Sequence, residues 1–110
     1  MSTDAFDEGL LSPVSAGRDH LVRDAVFLDA LVAAERALAA AYADIGMLSA
    51  ADLATIEDAL RGPLTPGGAS TIEVDALIAA AVEGGHPVIP LVRQLKAATP
   101  EGRRVWVHRG

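Results

Sequence analysis

Glycine residues divide this sequence into segments that each carry the hydrophobic spacing of an α-helix. The breaks fall at Gly46, at Gly62-Pro63 and at Gly84-Gly85, and glycine often follows the last turn of a helix because it tolerates a positive φ angle. Four helices are predicted, near residues 19–46, 49–61, 71–84 and 87–98. No two segments alternate polar and apolar residues as paired strands do. The spacing therefore predicts an all-α fold.

The first helical segment is the longest and is rich in alanine, a strong helix former. Its apolar residues recur at spacings of four and three, which predicts one buried face. The residues of this predicted face are Phe27, Leu31, Ala34, Leu38, Ala41 and Ile45. Leu28, Glu35 and Tyr42 lie on its flank. Glu35 is thus either partly buried, with a cationic partner, or a solvated carboxylate, and both interpretations stay open.

Two serines predict the starts of the second and third helices. Ser49 precedes Asp52 by three residues, and Ser70 precedes Glu73 by three. This is the spacing of a capping box, in which a hydroxyl and a carboxylate accept hydrogen bonds from backbone N–H groups at a helix start. The apolar stripes of these helices are Leu53, Ile56 and Leu60, and then Val74, Leu77, Ile78, Ala81 and Val82.

The stretch GGHPVIPLVRQL, residues 84–95, concentrates backbone constraints before the fourth helix. With His86 as N-cap and Pro87 as the first helical residue, Pro90 falls in the first turn, where no backbone N–H is needed. The predicted core-facing residues are Val88, Leu91, Val92 and Leu95. His86 would then lie beside free N–H groups that favour an anion. From the residues alone, a histidine at a helix start is more often a cap or a surface residue.

The two ends of the chain lack helical spacing. Residues 1–17 contain Ser12, Pro13 and Gly17 without a sustained period, which predicts an extended arm. The closing VWVHRG alternates like a strand, but a single strand without a partner does not make a sheet. We therefore expect an extended connector that packs on the helices, with Trp106 as its anchor.

The charge distribution limits which molecules the protein is expected to bind. The net charge of −6 argues against a nucleic-acid binder. Residues 1–83 hold fourteen acids and four arginines, whereas residues 84–110 hold five basic residues and one acid. A basic end suits an anionic ligand or an acidic partner surface. From charge alone, ordinary surface charge is the preferred explanation.

Composition also narrows the cellular setting. The chain has no cysteine, so it can form neither a disulfide nor a thiolate metal site. The acidic start MSTDAFDEGL does not resemble a signal peptide. Residues 25–43 carry three charges, which excludes a membrane span. A cytoplasmic protein that does not enter membranes is expected.

Three motifs, in order, resemble the N-terminal region of the aspartase/fumarase/adenylosuccinate lyase superfamily, and most closely its 3-carboxy-cis,cis-muconate cycloisomerase branch. The long helix carries Asp24 near its start and an E-x-A-L-A core at residues 35–39. The stretch at residues 87–95 matches P-x-I-P-L-V-x-Q-L. Trp106, Val107 and His108, followed by Gly110, match the family's Trp-Val-His before a glycine. The resemblance extends from about Ser12 to Gly110.

This resemblance implies a fold and an activity. Residues 1–17 would be the arm and residues 18–110 the helical N-terminal domain of the fumarase/aspartase-type fold, which stops before the central helical bundle. The chemistry would be addition or elimination across a carbon–carbon double bond flanked by carboxylates, without metal or organic cofactor. In the cycloisomerase branch, 3-carboxy-cis,cis-muconate becomes 4-carboxymuconolactone in the protocatechuate (β-ketoadipate) pathway of aromatic catabolism.

The resemblance also implies an assembly. The family's active sites combine three subunits of a homotetramer, and the catalytic serine and a second histidine lie downstream of this region. The 110 residues alone are therefore expected to be inactive, and no catalytic residue is assigned within them.

The resemblance assigns substrate binding to three residues: His108, His86 and Arg109. The substrate would be a small polycarboxylate. Two of these positions depart from the cycloisomerase pattern, which often has asparagine in place of His86 and an aromatic residue in place of Arg109. Adenylosuccinate lyases have a substrate-binding histidine at the position of His86, so an adenylosuccinate lyase-like C–N lyase stays open as an alternative.

Two further classes also stay open. The chain could be a stand-alone helical protein-interaction domain whose exposed apolar faces bind a partner helix. It could also be a small all-α enzyme that acts on an acidic substrate, which would require basic residues from several helices to converge. The first helix offers only Arg36 between Asp24 and Ile45 for that purpose, which disfavours this last alternative.

Overall fold

Four α-helices form the computed structural model, which describes residues 9–66 and 70–109. They are α1 (Asp24–Asp44), α2 (Ala50–Ala59), α3 (Val74–Gly84) and α4 (Val88–Ala98). Short 3-10 helices span Pro13–Ser15, Asp19–Val22 and Glu101–Trp106. No strand occurs in these ranges, so the predicted all-α fold is confirmed. Nor does any helix there have the length and apolarity needed to cross a membrane.

The first predicted helix is two elements rather than one. Asp19–Val22 forms a 3-10 helix, and the extended backbone of Arg23 (ψ 166°) separates it from α1. The predicted helix ends are confirmed, since Gly46 and Gly85 adopt φ angles of +81° and +77° just beyond α1 and α3. Residues 1–8 of the predicted arm lie outside the described ranges. In its described part, the chain turns through Pro13–Ser15.

Of the two hydrogen bonds in the capping box predicted for α2, the one accepted by the Ser49 side chain is confirmed. The Ser49 hydroxyl accepts a hydrogen bond from the Asp52 N–H at 3.1 Å. The Asp52 carboxylate does not complete a capping box. It pairs instead with Arg103, whose Nε lies 3.0 Å from Oδ1. A partner 51 residues away has replaced the local one.

The predicted capping box of α3 is wrong. The helix begins at Val74, and the Ser70 hydroxyl donates to the Arg61 carbonyl at 2.8 Å. A side chain of α4, that of Gln94, binds the start of α3. The Gln94 side-chain oxygen accepts from the Glu73 N–H at 2.7 Å, and its amide donates to the Glu73 carbonyl at 3.1 Å. The amide of Gln94 thus binds both backbone groups of Glu73, the residue just before the helix.

The buried face of α1 is rotated by one residue from the predicted face. The α1 residues that point into the core are Leu28, Val32, Glu35, Ala39 and Tyr42. Phe27 is 54% exposed and Ile45 is 68% exposed, so the prediction of their burial is wrong. The predicted and the observed residues both have helical spacing, but the observed face includes a charged residue, Glu35. The remaining core consists of Leu48, Ile56, Leu60, Leu77, Leu91, Leu95 and Val107.

Helix α3 is only partly covered. Leu77 is buried, whereas Val74, Ile78 and Val82 are exposed, so three of the predicted core positions are wrong. A groove of about 390 Å³ runs between the start of α1 and α3, and Phe27, Ile78 and Pro87 line it. The radius of gyration is 16.5 Å, compared with about 13 Å for a compact domain of this length. The described chain is therefore elongated and leaves apolar surface open.

The closing segment docks on the core through a different residue than predicted. Residues Glu101–Trp106 form a 3-10 helix, so the predicted extended connector begins only at Val107. Val107 is 1% exposed, while Trp106 is only partly buried. The anchor is therefore Val107, because its small branched side chain fits fully among the helices. Arg104 fastens the same segment by donating to the Thr99 carbonyl at 2.9 Å.

Replacement of Gly62 by alanine is expected to destabilise the protein. A Cβ atom there would lie 2.3 Å from Asp29 Oδ1 and 3.1 Å from the Asp29 Cα. Because the backbone of α1 cannot withdraw easily, we expect a loss of about 1–3 kcal/mol in the free energy of unfolding. Urea denaturation measures the change. Gly102→Ala is the matched control because no atom lies within 4 Å of its Cβ position, and equal stability of the two variants would contradict the prediction.

Replacement of Gln94 by alanine is expected to loosen the start of α3. The change removes the acceptor of the Glu73 N–H, while the Glu73 carbonyl still accepts from the Leu77 N–H. This loss should cost about 0.5–1.5 kcal/mol. Thermal unfolding followed by circular dichroism measures it. Arg93→Ala, at the neighbouring exposed position, serves as the control. If both variants unfold at the wild-type temperature, the Gln94 contacts contribute nothing.

Candidate functional site

Residues of the closing segment meet the second half of α1. We call this group the tail cluster: Glu35, Tyr42, Trp106, His108 and Arg109. Glu35 and Tyr42 are seven residues apart, which places them two turns apart on one face of the helix. The buried Val107 side chain fixes the segment that carries the other three members. The cluster is therefore a helix face that receives a docked chain end.

A contact between two side chains of the tail cluster joins His108 to Glu35. Nδ1 of the imidazole lies 2.6 Å from Oε1 of the carboxylate. The Glu35 side chain is 11% exposed, whereas that of His108 is 51% exposed. The second oxygen of Glu35, Oε2, is buried and has no hydrogen-bond partner among the described residues. Of the two interpretations of Glu35 in the sequence, the partly buried one is correct, with an imidazole as its partner.

The backbone of His108 is in an unusual conformation. Its φ angle of 56° is the one positive φ of a non-glycine residue in ranges 9–66 and 70–109. This left-handed region costs free energy for residues with a Cβ atom, although histidine enters it more readily than most. The conformation turns the chain after Val107, and the imidazole contacts α1.

Aromatic packing holds the neighbouring residues of the tail cluster. The rings of Tyr42 and Trp106 meet edge to face, with centroids 5.3 Å apart. The Arg109 guanidinium lies 4.7 Å from the centre of the Trp106 ring, in a cation–π contact. The Tyr42 hydroxyl donates to the Arg109 carbonyl. The cluster thus places a cationic side chain one residue after His108.

His86 lies in the turn between α3 and α4, and its side chain caps α4. Its Nδ1 accepts a hydrogen bond from the Val88 N–H at 3.1 Å. The predicted N-cap is displaced by one residue, since Pro87 occupies that position and the helix begins at Val88. The pattern is that of an Asx turn, in which an asparagine oxygen accepts from the N–H two residues later. Histidine and asparagine can therefore satisfy the same backbone group here.

The structure brings together two of the three predicted substrate-binding residues. His108 and Arg109 share the tail cluster, whereas no hydrogen bond or ion pair among the described residues connects His86 with either. Pro87, next to His86, lines the apolar groove near Asp24. Asp24 and Glu35 are eleven residues apart, or about 16 Å along a helix. Within one chain, His86 therefore lies near the start of α1, whereas His108 lies beside its second half.

Sequence analysis missed Tyr42 and Trp106 as parts of the candidate site. The available signal was the seven-residue spacing between Glu35 and Tyr42, which puts a charged and an aromatic residue on one helix face. The other charged residue of this region, Arg36, is used in the fold. It donates to the Glu57 and Leu60 carbonyls and thus caps α2. Because Arg36 is occupied, a site of converging basic residues around α1 is further disfavoured.

The described residues do not suggest a metal site. In ranges 9–66 and 70–109, histidine and acidic side chains do not gather in groups of three or more that could hold an ion. What the tail cluster offers is an imidazole held at Nδ1, with Nε2 unpaired among the described residues, and a guanidinium on the next residue. The guanidinium can donate hydrogen bonds to a carboxylate, and the imidazole can do so from Nε2 in its protonated form.

Exchange of His86 is expected to affect stability only when the acceptor is lost. His86→Asn should have the same free energy of unfolding as the wild type, because the asparagine oxygen can accept from the Val88 N–H. His86→Ala should lose about 0.5–1 kcal/mol, the typical effect of removing a capping side chain. Urea denaturation of both variants checks the difference. Equal destabilisation by asparagine and alanine would show that the imidazole ring, rather than its acceptor atom, matters.

Comparison with known proteins finds a lyase. No protein-family model matches the chain. The chain is 37% identical over 109 residues to the nitrosuccinate lyase of Streptomyces davaonensis. The match covers 94% of this chain and 22% of the relative, so the chain spans about a fifth of that protein's length. This similarity to a lyase and the all-helical fold both agree with the resemblance of the sequence motifs to the aspartase/fumarase/adenylosuccinate lyase superfamily.

Proposed function

We propose that this chain is the helical N-terminal part of a lyase that cleaves a carbon–nitrogen bond in a small polycarboxylate such as nitrosuccinate. The observation that carries the proposal is the 37% identity to a nitrosuccinate lyase, which extends over 94% of the chain. The tail cluster supports it, because it presents an imidazole and a guanidinium at one end of a chain that is otherwise acidic.

The proposed reaction is an elimination. A base removes a proton from the carbon next to one carboxylate, and the electron pair forms the carbon–carbon double bond as the C–N bond breaks. The nitrogen group departs with the bonding pair, as nitrite from nitrosuccinate, and an unsaturated dicarboxylate remains. Negative charge spreads into the carboxylate during proton removal, so rigidly held hydrogen-bond donors lower the barrier.

His108 and Arg109 are the residues we assign to that charge. With Nδ1 directed to Glu35, His108 has Nε2 available for a substrate carboxylate. The Arg109 guanidinium is held over Trp106 and can supply a second donor after a change of rotamer. For His86 we propose a contact with substrate from another subunit of a homotetramer, because within one chain it is remote from His108.

The cycloisomerase of 3-carboxy-cis,cis-muconate is the second candidate function. The P-x-I-P-L-V-x-Q-L motif at residues 87–95 favours it. The structure gives most of this motif a role in folding, since Leu91, Val92 and Leu95 are buried and Gln94 caps α3. Residues that pack the fold are compatible with several substrates, so the motif weighs less than the identity over nearly the whole chain.

Replacement of His108 by asparagine is expected to lower kcat/KM at least tenfold in the full-length enzyme, an added barrier of about 1.4 kcal/mol. Asparagine tolerates the positive φ angle, so the fold should not change. Nitrite release from nitrosuccinate and loss of 3-carboxymuconate absorbance measure the two candidate reactions.

The control for this variant is His20→Asn, which alters an exposed histidine of the Asp19–Val22 turn. It should keep wild-type kinetics. Unchanged kcat/KM in His108→Asn would contradict the assigned role. Turnover of 3-carboxymuconate without nitrite release would favour the second candidate over the first.

A further inference from the structure

Glu35 occupies a position that stability alone does not explain. It lies on the core-facing side of α1 with 11% of its side chain exposed. One carboxylate oxygen contacts His108, and the other is buried without a partner among the described residues. Burial of a carboxylate costs free energy unless its oxygens are hydrogen-bonded. A leucine of similar size at this position would avoid that cost.

The partner of Glu35 is also held at a cost. His108 adopts a left-handed backbone conformation, which is unfavourable for a residue with a Cβ atom. Its side chain is half exposed, so the imidazole could be solvated without the carboxylate. Two unfavourable features thus meet in one contact of 2.6 Å. Such a combination is more typical of a functional site than of a structural contact.

We propose that Glu35 is a positioning residue for His108. This inference rests on the proposed function, in which His108 contacts the substrate. The carboxylate accepts a hydrogen bond from Nδ1–H and so keeps the proton of the neutral imidazole on that nitrogen. Nε2 is then an acceptor in the neutral ring and a donor in the protonated ring, and the protonated ring is the form that donates to a substrate carboxylate. Glu35 itself does not contact substrate.

The tautomer of His108 tests the positioning directly and does not depend on activity. Long-range nitrogen–proton NMR of the protein with labelled histidine distinguishes the two neutral tautomers. We expect the Nδ1-protonated form in the wild type and the Nε2-protonated form, which is more common in water, in Glu35→Leu. The signals of His20 and His86 should not change. The same tautomer of His108 in both proteins would overturn the proposal.

Kinetics of the full-length enzyme test the consequence. Glu35→Leu should lower kcat/KM about tenfold, in the range found when carboxylate partners of functional histidines are removed. Its thermal midpoint should equal or exceed that of the wild type, because a buried, half-paired carboxylate is lost. Glu35→Gln retains an acceptor oxygen and should keep most of the activity. The control is Glu83→Gln on the exposed side of α3, which should behave as wild type.

A double variant separates positioning from an independent role. If Glu35 acts only through His108, Glu35→Leu should cause no further loss in the His108→Asn background. An equal loss in both backgrounds would overturn the proposal, as would full activity of Glu35→Leu. Should Glu35→Leu fail to fold, Glu35→Met, which also removes both acceptor oxygens, carries the same comparison. If the wild type turns over no polycarboxylate, the proposed function fails, and the tautomer measurement alone decides the role of Glu35.

Discussion

The core and the candidate site both depend on the buried face of α1. Its Leu28 and Val32 contribute to the core that α2 and α4 complete. Arg36 on the same helix caps the end of α2 by donating to two carbonyl groups. Glu35 and Tyr42 of α1 contact the closing segment. A single helix thus serves as the packing surface for the domain and as the support for the candidate site.

Local signals predicted those parts of the fold that are determined locally. A glycine with positive φ ends a helix whatever surrounds it, and Ser49 caps α2 with its own neighbour, so Gly46, Gly85 and the start of α2 were predictable. The start of α3 was not, because Gln94 contacts Glu73 from 21 residues away. Sequence spacing contains no information about which distant side chain supplies a cap.

The candidate site was predictable in its residues and unpredictable in its contacts. His108 came from the family motif and Arg109 from its position next to it in the sequence, but their partners on α1 did not. The face of α1 was misassigned because Glu35 interrupts the apolar series that is buried, while the uninterrupted series begins and ends with exposed residues, Phe27 and Ile45. Trp106, the expected anchor, packs against the core from a partly buried position, and Val107 is the residue buried fully. A charged residue at a functional position thus disturbed the very pattern used to find the core.

The contacts of the tail cluster span long stretches of sequence: 73 residues separate Glu35 from His108, and 67 separate Tyr42 from Arg109. Closing loops of this length costs chain entropy that only an already formed core can offset. During synthesis, α1 must therefore remain with an unpaired, uncovered carboxylate until the segment after α4 has emerged. The site is accordingly the last part of this domain to assemble, and we expect its amide groups near residue 108 to exchange with solvent before those of the α1–α2 core.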